Sequence, residues 1–243
     1  MNLYIYDDYL RKYKKTINNL EIELHKLNLN GKIVYLENIK NINDLIQEEI
    51  NKGVKTIVAV GNNSTINKII NAASKLNDDS LNSIAFGIIP VGNNNSIAEA
   101  CGIKNDKTAS EIILARRIEN INIAKANDNY FLSEAHIKAK DTLLNIDNFS
   151  IDPIGGGDIR IINLLSEKCS TRNINYSPKD NILNIYIKYK RNNESFLPIK
   201  SVNIINNSKE KVTLDNSIEL ETPVNVSIFN KNINFIVGKE RNF

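Results

Sequence analysis

The sequence predicts a chain in two parts, an α/β half built on a parallel sheet and a β-rich half of antiparallel strands. Three observations carry this. Short apolar runs alternate with helical patterns as far as about residue 120. From residue 121 the apolar residues fall instead in short alternating runs separated by Asn, Asp and Gly. Two glycine turns, Val60-Gly61-Asn62-Asn63-Ser64-Thr65 and Pro90-Val91-Gly92-Asn93-Asn94-Asn95-Ser96, each follow a buried-strand pattern and lead into a helical one. Open α/β sheets place phosphate sites at such positions. The expected architecture is an N-terminal doubly wound parallel α/β nucleotide-binding domain over residues 1–120 and a β-sandwich-like antiparallel domain over 121–243.

Asn2 to Tyr6 reads as a short strand, followed by a helical pattern through Leu10, Tyr13, Ile17, Leu20, Leu24 and Leu27 that Gly31 is expected to end. Lys32 to Leu36 gives a second strand. Ile42, Leu45, Ile46 and Ile50 mark a helix that stops at Gly53. Thr56 to Val60 is apolar almost throughout, as in a strand covered on both faces. A helix follows from Thr65 to Ala73, then a strand over Ile84 to Pro90, a short helix over Ser96 to Cys101, and a last helix over Thr108 to Arg116. Beyond these, Leu183 to Lys190, Val202 to Ile205, Lys211 to Leu214 and Val224 to Phe229 continue the strand pattern. Pro153 to Asp158, with three glycines, reads as a hairpin connection, because no helix follows it.

Composition narrows the function. Lys and Arg number 31 against 28 Asp and Glu, a net charge of +3. That is too small and too scattered for a nucleic-acid partner, which calls for a clustered excess of cations. Cys101, Cys169, His25 and His136 show no metal-ligand spacing, so no metal site is expected. With two cysteines and no signal-like leader, the chain reads as cytoplasmic with free thiols, His25 and His136 as structural, and no transmembrane segment is expected. Arg11, Lys12, Lys14 and Lys15, with Tyr9 and Tyr13 interleaved, read either as the solvated face of an amphipathic helix or as a contact with an anionic membrane surface. Arg116 and Arg117 read either as dipole partners of a helix end or as phosphate ligands. Asp78 and Asp79 read as loop acids. Oligomeric state is not legible.

The motifs resemble those of the diacylglycerol, sphingosine and bacterial lipid kinases. TIVAVGNNSTINKIINA is similar to their strand, Gly-Gly-Asp-Gly-Thr, helix segment, and FGIIPVGNNNSIAEACGI to their Pro-x-Gly-Thr-x-Asn-Asp-x-Ala segment. INIAKANDNYFL resembles the crossover into their second domain, and VTLDNSIELETPVNVSI the later Asp-Gly-Glu strand turn. The resemblance implies an ATP-dependent transferase phosphorylating a lipid hydroxyl such as that of diacylglycerol, with ATP at Gly61, Asn62, Asn63, Ser64, Thr65, Gly92, Asn93, Asn94 and Asn95. Pro90, Ala98, Phe131 and Asp215 also match.

The departures bear on mechanism. Asn63, Ser96 and Asn122 stand where the family has Asp, and Ser217 stands where it has its base Glu. Neutral amides hold Mg²⁺ far less well than carboxylates, and a Ser hydroxyl is no base at neutral pH without an activator. Glu219 and Glu221 are the substitute carboxylates within reach of a bulge or register shift, and otherwise solvated strand charges. The sequence therefore supports a lipid-kinase-like protein with impaired catalysis, a non-catalytic pseudokinase that binds a nucleotide, lipid or protein partner, or a small-molecule kinase of the NAD type.

Overall fold

The computed structural model describes residues 1–154, 156–165, 177–189 and 193–243. Cys169, Gly155 and Lys190 lie outside the described residues. The chain divides into two compact units, the first comprising Met1–Ile121 with Ile233–Asn242 and the second Asn122–Asn232 with Phe243.

The first unit opens with β1 (Asn2–Tyr6), a 3-10 turn over Asp8–Tyr13 and α1 (Lys14–Lys26). It continues through β2 (Gly31–Tyr35), α2 (Ile42–Asn51), β3 (Thr56–Gly61), α3 (Asn63–Ala73), α4 (Asp78–Asn82), β4 (Ala85–Pro90), α5 (Ser96–Ala100) and α6 (Asp106–Ala115). The strands pair in parallel in the order β2, β1, β3, β4, with Asn2 level with both Gly31 and Thr56, and Thr56 level with Ala85. All six residues of β3 and all six of β4 are buried, as strands covered on both faces require. The helices pair off, α1 with α6 and α2 with α3, as the covering layers of a doubly wound sheet.

Three local expectations change. The first helical pattern divides into the 3-10 turn and α1, and ends at Lys26 rather than at Gly31. Gly31 instead opens β2, where an added Cβ would come within 2.4 Å of the Asn2 carbonyl, so close strand pairing demands glycine there. Asp78 and Asp79 form the acidic first turn of α4, with the Asn77 side chain capping Ser80 N, because acids favour a helix N-terminus.

Tyr4 shows what core burial does in this sheet. It is 1% exposed, and its hydroxyl donates to the Leu29 carbonyl at 2.7 Å. Burial pushes its pKa up from 10.0 to about 12. The folded-state value is thus the raised one, so this contribution is complete below the unfolded-state value and is lost as pH rises from about 10 to about 12. Alkaline unfolding followed by circular dichroism is expected to show this loss in the wild type, and Tyr4→Phe is expected to flatten it.

β5 (Ile118–Ala126) leads into the second unit, which holds β6 (Asn129–Phe131), β7 (Glu134–Lys138), β8 (Thr142–Ile146), β9 (Phe149–Ile151), β10 (Gly157–Ile162), β11 (Leu183–Tyr189), β12 (Glu194–Ile199), β13 (Ser201–Asn206), β14 (Val212–Leu214) and β15 (Ile218–Leu220). β16 (Val224–Ile236) begins here and ends in the first unit, where Asn234 pairs in parallel with Ala85. One antiparallel sheet runs β12, β11, β10, β7, β14, β15. The other contains β13 between β8 and the start of β16, with β9 beyond β8 and the β5–β6 hairpin. Their inner faces meet in one core, with Phe131, Leu144, Ile204 and Val226 from the one sheet and Ile137, Ile159, Ile185 and Leu214 from the other. The chain from β9 to β10 passes from one sheet to the other, so Pro153–Asp158 is no hairpin.

Candidate functional site

In the first unit both glycine turns are laced together by side chains of α3. Gly61 ends β3, and an added Cβ would lie 2.1 Å from Thr65 Oγ1, so only glycine lets the chain turn so tightly over that hydroxyl. Asn62 caps α3. Its Oδ1 accepts from Ser64 N at 3.0 Å, and its own amide donates to Thr65 Oγ1 at 3.2 Å. Asn63 is fully buried; its amide donates to the Asn94 carbonyl at 2.9 Å, its Nδ2 to Ser96 Oγ at 2.8 Å, and its Oδ1 accepts from Ile97 N at 3.2 Å. Val91 N donates to the Gly61 carbonyl at 2.9 Å, which ties the second turn to the first.

The second turn has Gly92 at φ +82° and Asn94 at +64°, conformations open to Gly and Asn. Asn95 Nδ2 donates to the Gly92 carbonyl at 2.8 Å, and its Oδ1 is buried with no partner. A buried acceptor of this kind asks for a donor from a ligand or a water. Asn93 is exposed and Ser64 half-buried. The turns therefore bring Gly61, Asn62, Asn63, Ser64, Thr65, Gly92, Asn94, Asn95 and Ser96 into one connected region.

One acid stands at this site that the sequence reading missed. Asp7 follows the last residue of β1, whose register sets Tyr6 level with Val60. Its Oδ2 accepts from Thr65 Oγ1 at 2.8 Å and lies 3.7 Å from Lys68 Nζ. Because β1 and β3 pair in parallel, their ends lie side by side, and the residue just beyond β1 lies beside the Gly61 turn. Tyr9 and Tyr13 of the following 3-10 turn were read only as interleaved aromatics, yet the Tyr9 hydroxyl donates to the Val91 carbonyl at 2.6 Å.

Whether these groups suit a magnesium ion turns on the donor set. Asn63 and Ser96 are neutral and satisfy each other, and the Asp7 oxygen nearest Thr65 is already shared with a hydroxyl and an ammonium. Mg²⁺ favours carboxylate oxygens in near-octahedral geometry, so these residues do not fit it. Among the described residues no group of three or more His, Cys, Asp or Glu side chains comes together.

Arg116 is held far from the turns, bonding the Thr56 hydroxyl and the Lys55 carbonyl at the opposite end of β3. Arg117 lines a pocket with Lys239 and Glu240. Arg11 pairs with Glu37 on the surface, and Lys12, Lys14 and Lys15 are exposed. Cys101 is a buried free thiol whose pKa burial raises.

The positions singled out in the later motifs lie in the second unit. Asn122 is buried, and its side chain donates to Asn181 Oδ1 and Asn232 Oδ1, each at 2.9 Å, while accepting from Asn181 N at 3.1 Å. Asp215 is fully buried and accepts from Leu132 N, Ser133 N and Glu134 N, all at 2.8 Å. The Ser217 hydroxyl donates to the Leu214 carbonyl at 3.2 Å. Glu219 is exposed and pairs with Lys211 at 3.0 Å, and Glu221 is exposed beyond the end of β15. His136, read as structural, meets Asp158 Oδ1 at 3.0 Å on the adjacent strand. The hydrogen bond from Lys138, helped by His136, holds the Asp158 carboxyl below its ordinary value.

Residues 10–126 match the family model for the diacylglycerol kinase catalytic domain. Over this stretch the chain is similar to the diacylglycerol-kinase-like lipid kinases. A Staphylococcus epidermidis protein named "Putative lipid kinase" is 25% identical, over 86% of this chain and 83% of its own length. The structure of a diacylglycerol kinase from Bacillus anthracis superposes with a TM-score of 0.72 at 17% identity, covering 98% of this chain and 97% of that one. An NAD kinase from Archaeoglobus fulgidus, solved in complex with ATP, shares the fold with a TM-score of 0.58 at 12% identity, covering 99% of this chain and 95% of that one. Among the described residues no helix is long and apolar enough to cross a membrane.

Proposed function

We propose that this lipid-kinase-like chain binds ATP at the paired glycine turns of its first unit and transfers phosphate to a lipid hydroxyl poorly or not at all. The amides of Gly92, Asn93, Asn95 and Ser96 have no intramolecular acceptor among the described residues, and Asn95 Oδ1 is buried without a donor. Such a turn offers donors to phosphate oxygens and one acceptor to a ligand N–H or O–H. When bound, ATP would supply the transferable phosphoryl group.

The observation that carries impaired transfer is the 2.8 Å bond between Asn63 and Ser96. Two carboxylates so close would repel unless a cation lay between them, whereas an amide and a hydroxyl bond to each other directly. Carrying the family's base to Ser217 places a hydroxyl there, and loss of a positioned base alone lowers rate by about 10²- to 10⁴-fold. Transfer of labelled phosphate from ATP to diacylglycerol vesicles is expected to stay near background with Mg²⁺. Turnover at the ordinary kinase scale of about 1–100 s⁻¹, abolished by Glu219→Gln or Glu221→Gln, would overturn this reading. The same observation favours binding without turnover as the second reading. A kinase for a soluble dinucleotide is separated from both by offering NAD in place of the vesicles.

Restoring the two charges gives a further expected result. Asn63→Asp with Ser96→Asp sets two partly or fully buried carboxylates at hydrogen-bonding range, so thermal stability is expected to fall in a chelating buffer and to recover when Mg²⁺ is added. The wild type is expected to show no such recovery. Thermal melts with and without the ion measure both.

A further inference from the structure

We propose that residues 8–13 form a lid that keeps the second glycine turn shut, with Tyr9 and Tyr13 as its closing groups, so that nucleotide enters only when this segment lifts. The proposal rests on the nucleotide reading above and adds its regulation. A Cβ placed on Gly92 would lie 3.2 Å from Tyr9 Cε2 and 3.3 Å from the Tyr13 hydroxyl. Both rings therefore lie directly on that side of the turn, where a phosphate has no room. They meet edge to face, with centroids 6.1 Å apart at 85°.

The lid is fastened to the turn it covers by the Tyr9 hydroxyl, which donates to the Val91 carbonyl at 2.6 Å. Asp7, the residue that precedes the lid, accepts from Thr65 Oγ1 of the first turn at 2.8 Å and weakly from Tyr9 N at 3.5 Å. Lifting residues 8–13 releases the Val91 carbonyl and the face of Gly92 together. The segment is suited to movement, because a six-residue 3-10 helix is short and of poorer hydrogen-bond geometry, and Leu10 is its only buried residue.

When the competent state is a minor fraction, apparent affinity is reduced by that fraction, so loosening the lid must tighten binding. Calorimetric titration of the full chain with ATP, in chelating buffer to remove metal effects, provides the test. Tyr9→Phe keeps the ring and loses only the fastening hydroxyl, and is expected to bind about fivefold tighter, the worth of one hydrogen bond. Tyr9→Ala with Tyr13→Ala is expected to bind more than about tenfold tighter. Hydrogen exchange of wild-type residues 8–13 is expected to speed up on saturation with ATP. Measurable ATP binding that is equal in wild type and both variants, with exchange in 8–13 unchanged or slowed, overturns the lid and leaves the nucleotide reading intact. No binding by any of the three, with circular dichroism showing each folded, overturns the nucleotide reading and the lid with it.

Discussion

Asp215→Ala is expected to cost about 4–5 kcal/mol, above the usual range for a single substitution. The carboxylate is fully buried and accepts three backbone N–H groups at 2.8 Å, two through Oδ1 and one through Oδ2. Charge-assisted bonds of this kind are the stronger sort, and each buried donor left without an acceptor costs roughly 1–3 kcal/mol. Asp215 also sits at φ +46°, which Asp tolerates better than Ala. Asp215→Asn is expected to lose less, roughly 2 kcal/mol, because one oxygen survives while the new NH₂ faces a backbone donor. Urea unfolding monitored by circular dichroism measures both. Its observed bonds organise the entry to β7. A loss below about 1 kcal/mol for Asp215→Ala would show that the segment relaxes and finds other acceptors.

Gly61→Ala is the second large effect, expected at about 3 kcal/mol or more. The new methyl would lie 2.1 Å from Thr65 Oγ1 and 2.9 Å from Thr65 Cβ. Thr65 cannot easily turn aside, since its hydroxyl holds both the Asn62 amide and Asp7. The cap of α3 and the β3 turn are thus forced apart together. Adding Thr65→Ala removes the nearer atom, so the double variant is expected to be more stable than additivity predicts, with a coupling of roughly 1–2 kcal/mol in a double-mutant cycle. Strict additivity would mean that the methyl is absorbed elsewhere.

The parallel sheet was legible because β3 and β4 are apolar along their length and end in glycine turns, a pattern set by burial on both faces. The turns themselves were legible for the same reason: Gly61 and Gly92 answer steric demands that sequence alone marks. Asp7, Tyr9 and Tyr13 were not read as site residues, because a polar segment after a short strand looks like a solvated helix start. Only the β1–β3 register brings it beside the turns. Gly31 misled for the converse reason, since a glycine after a helical pattern reads as a stop, while its actual role is close approach to Asn2. The last part of β16 could not be placed from periodicity, because one strand of 13 residues serves an antiparallel pairing at its start and a parallel one at its end.

The proposed nucleotide cradle keeps both glycine turns, while two positions where the resembling motifs carry carboxylates hold an amide and a hydroxyl bonded to each other. Calorimetric titration of the wild-type chain with ATP, with and without Mg²⁺, tests it most directly. Binding of the same strength in both conditions is the result expected. A tightening of tenfold or more on adding Mg²⁺ would contradict it, since the Asn63 and Ser96 pair would then have to hold the ion after all.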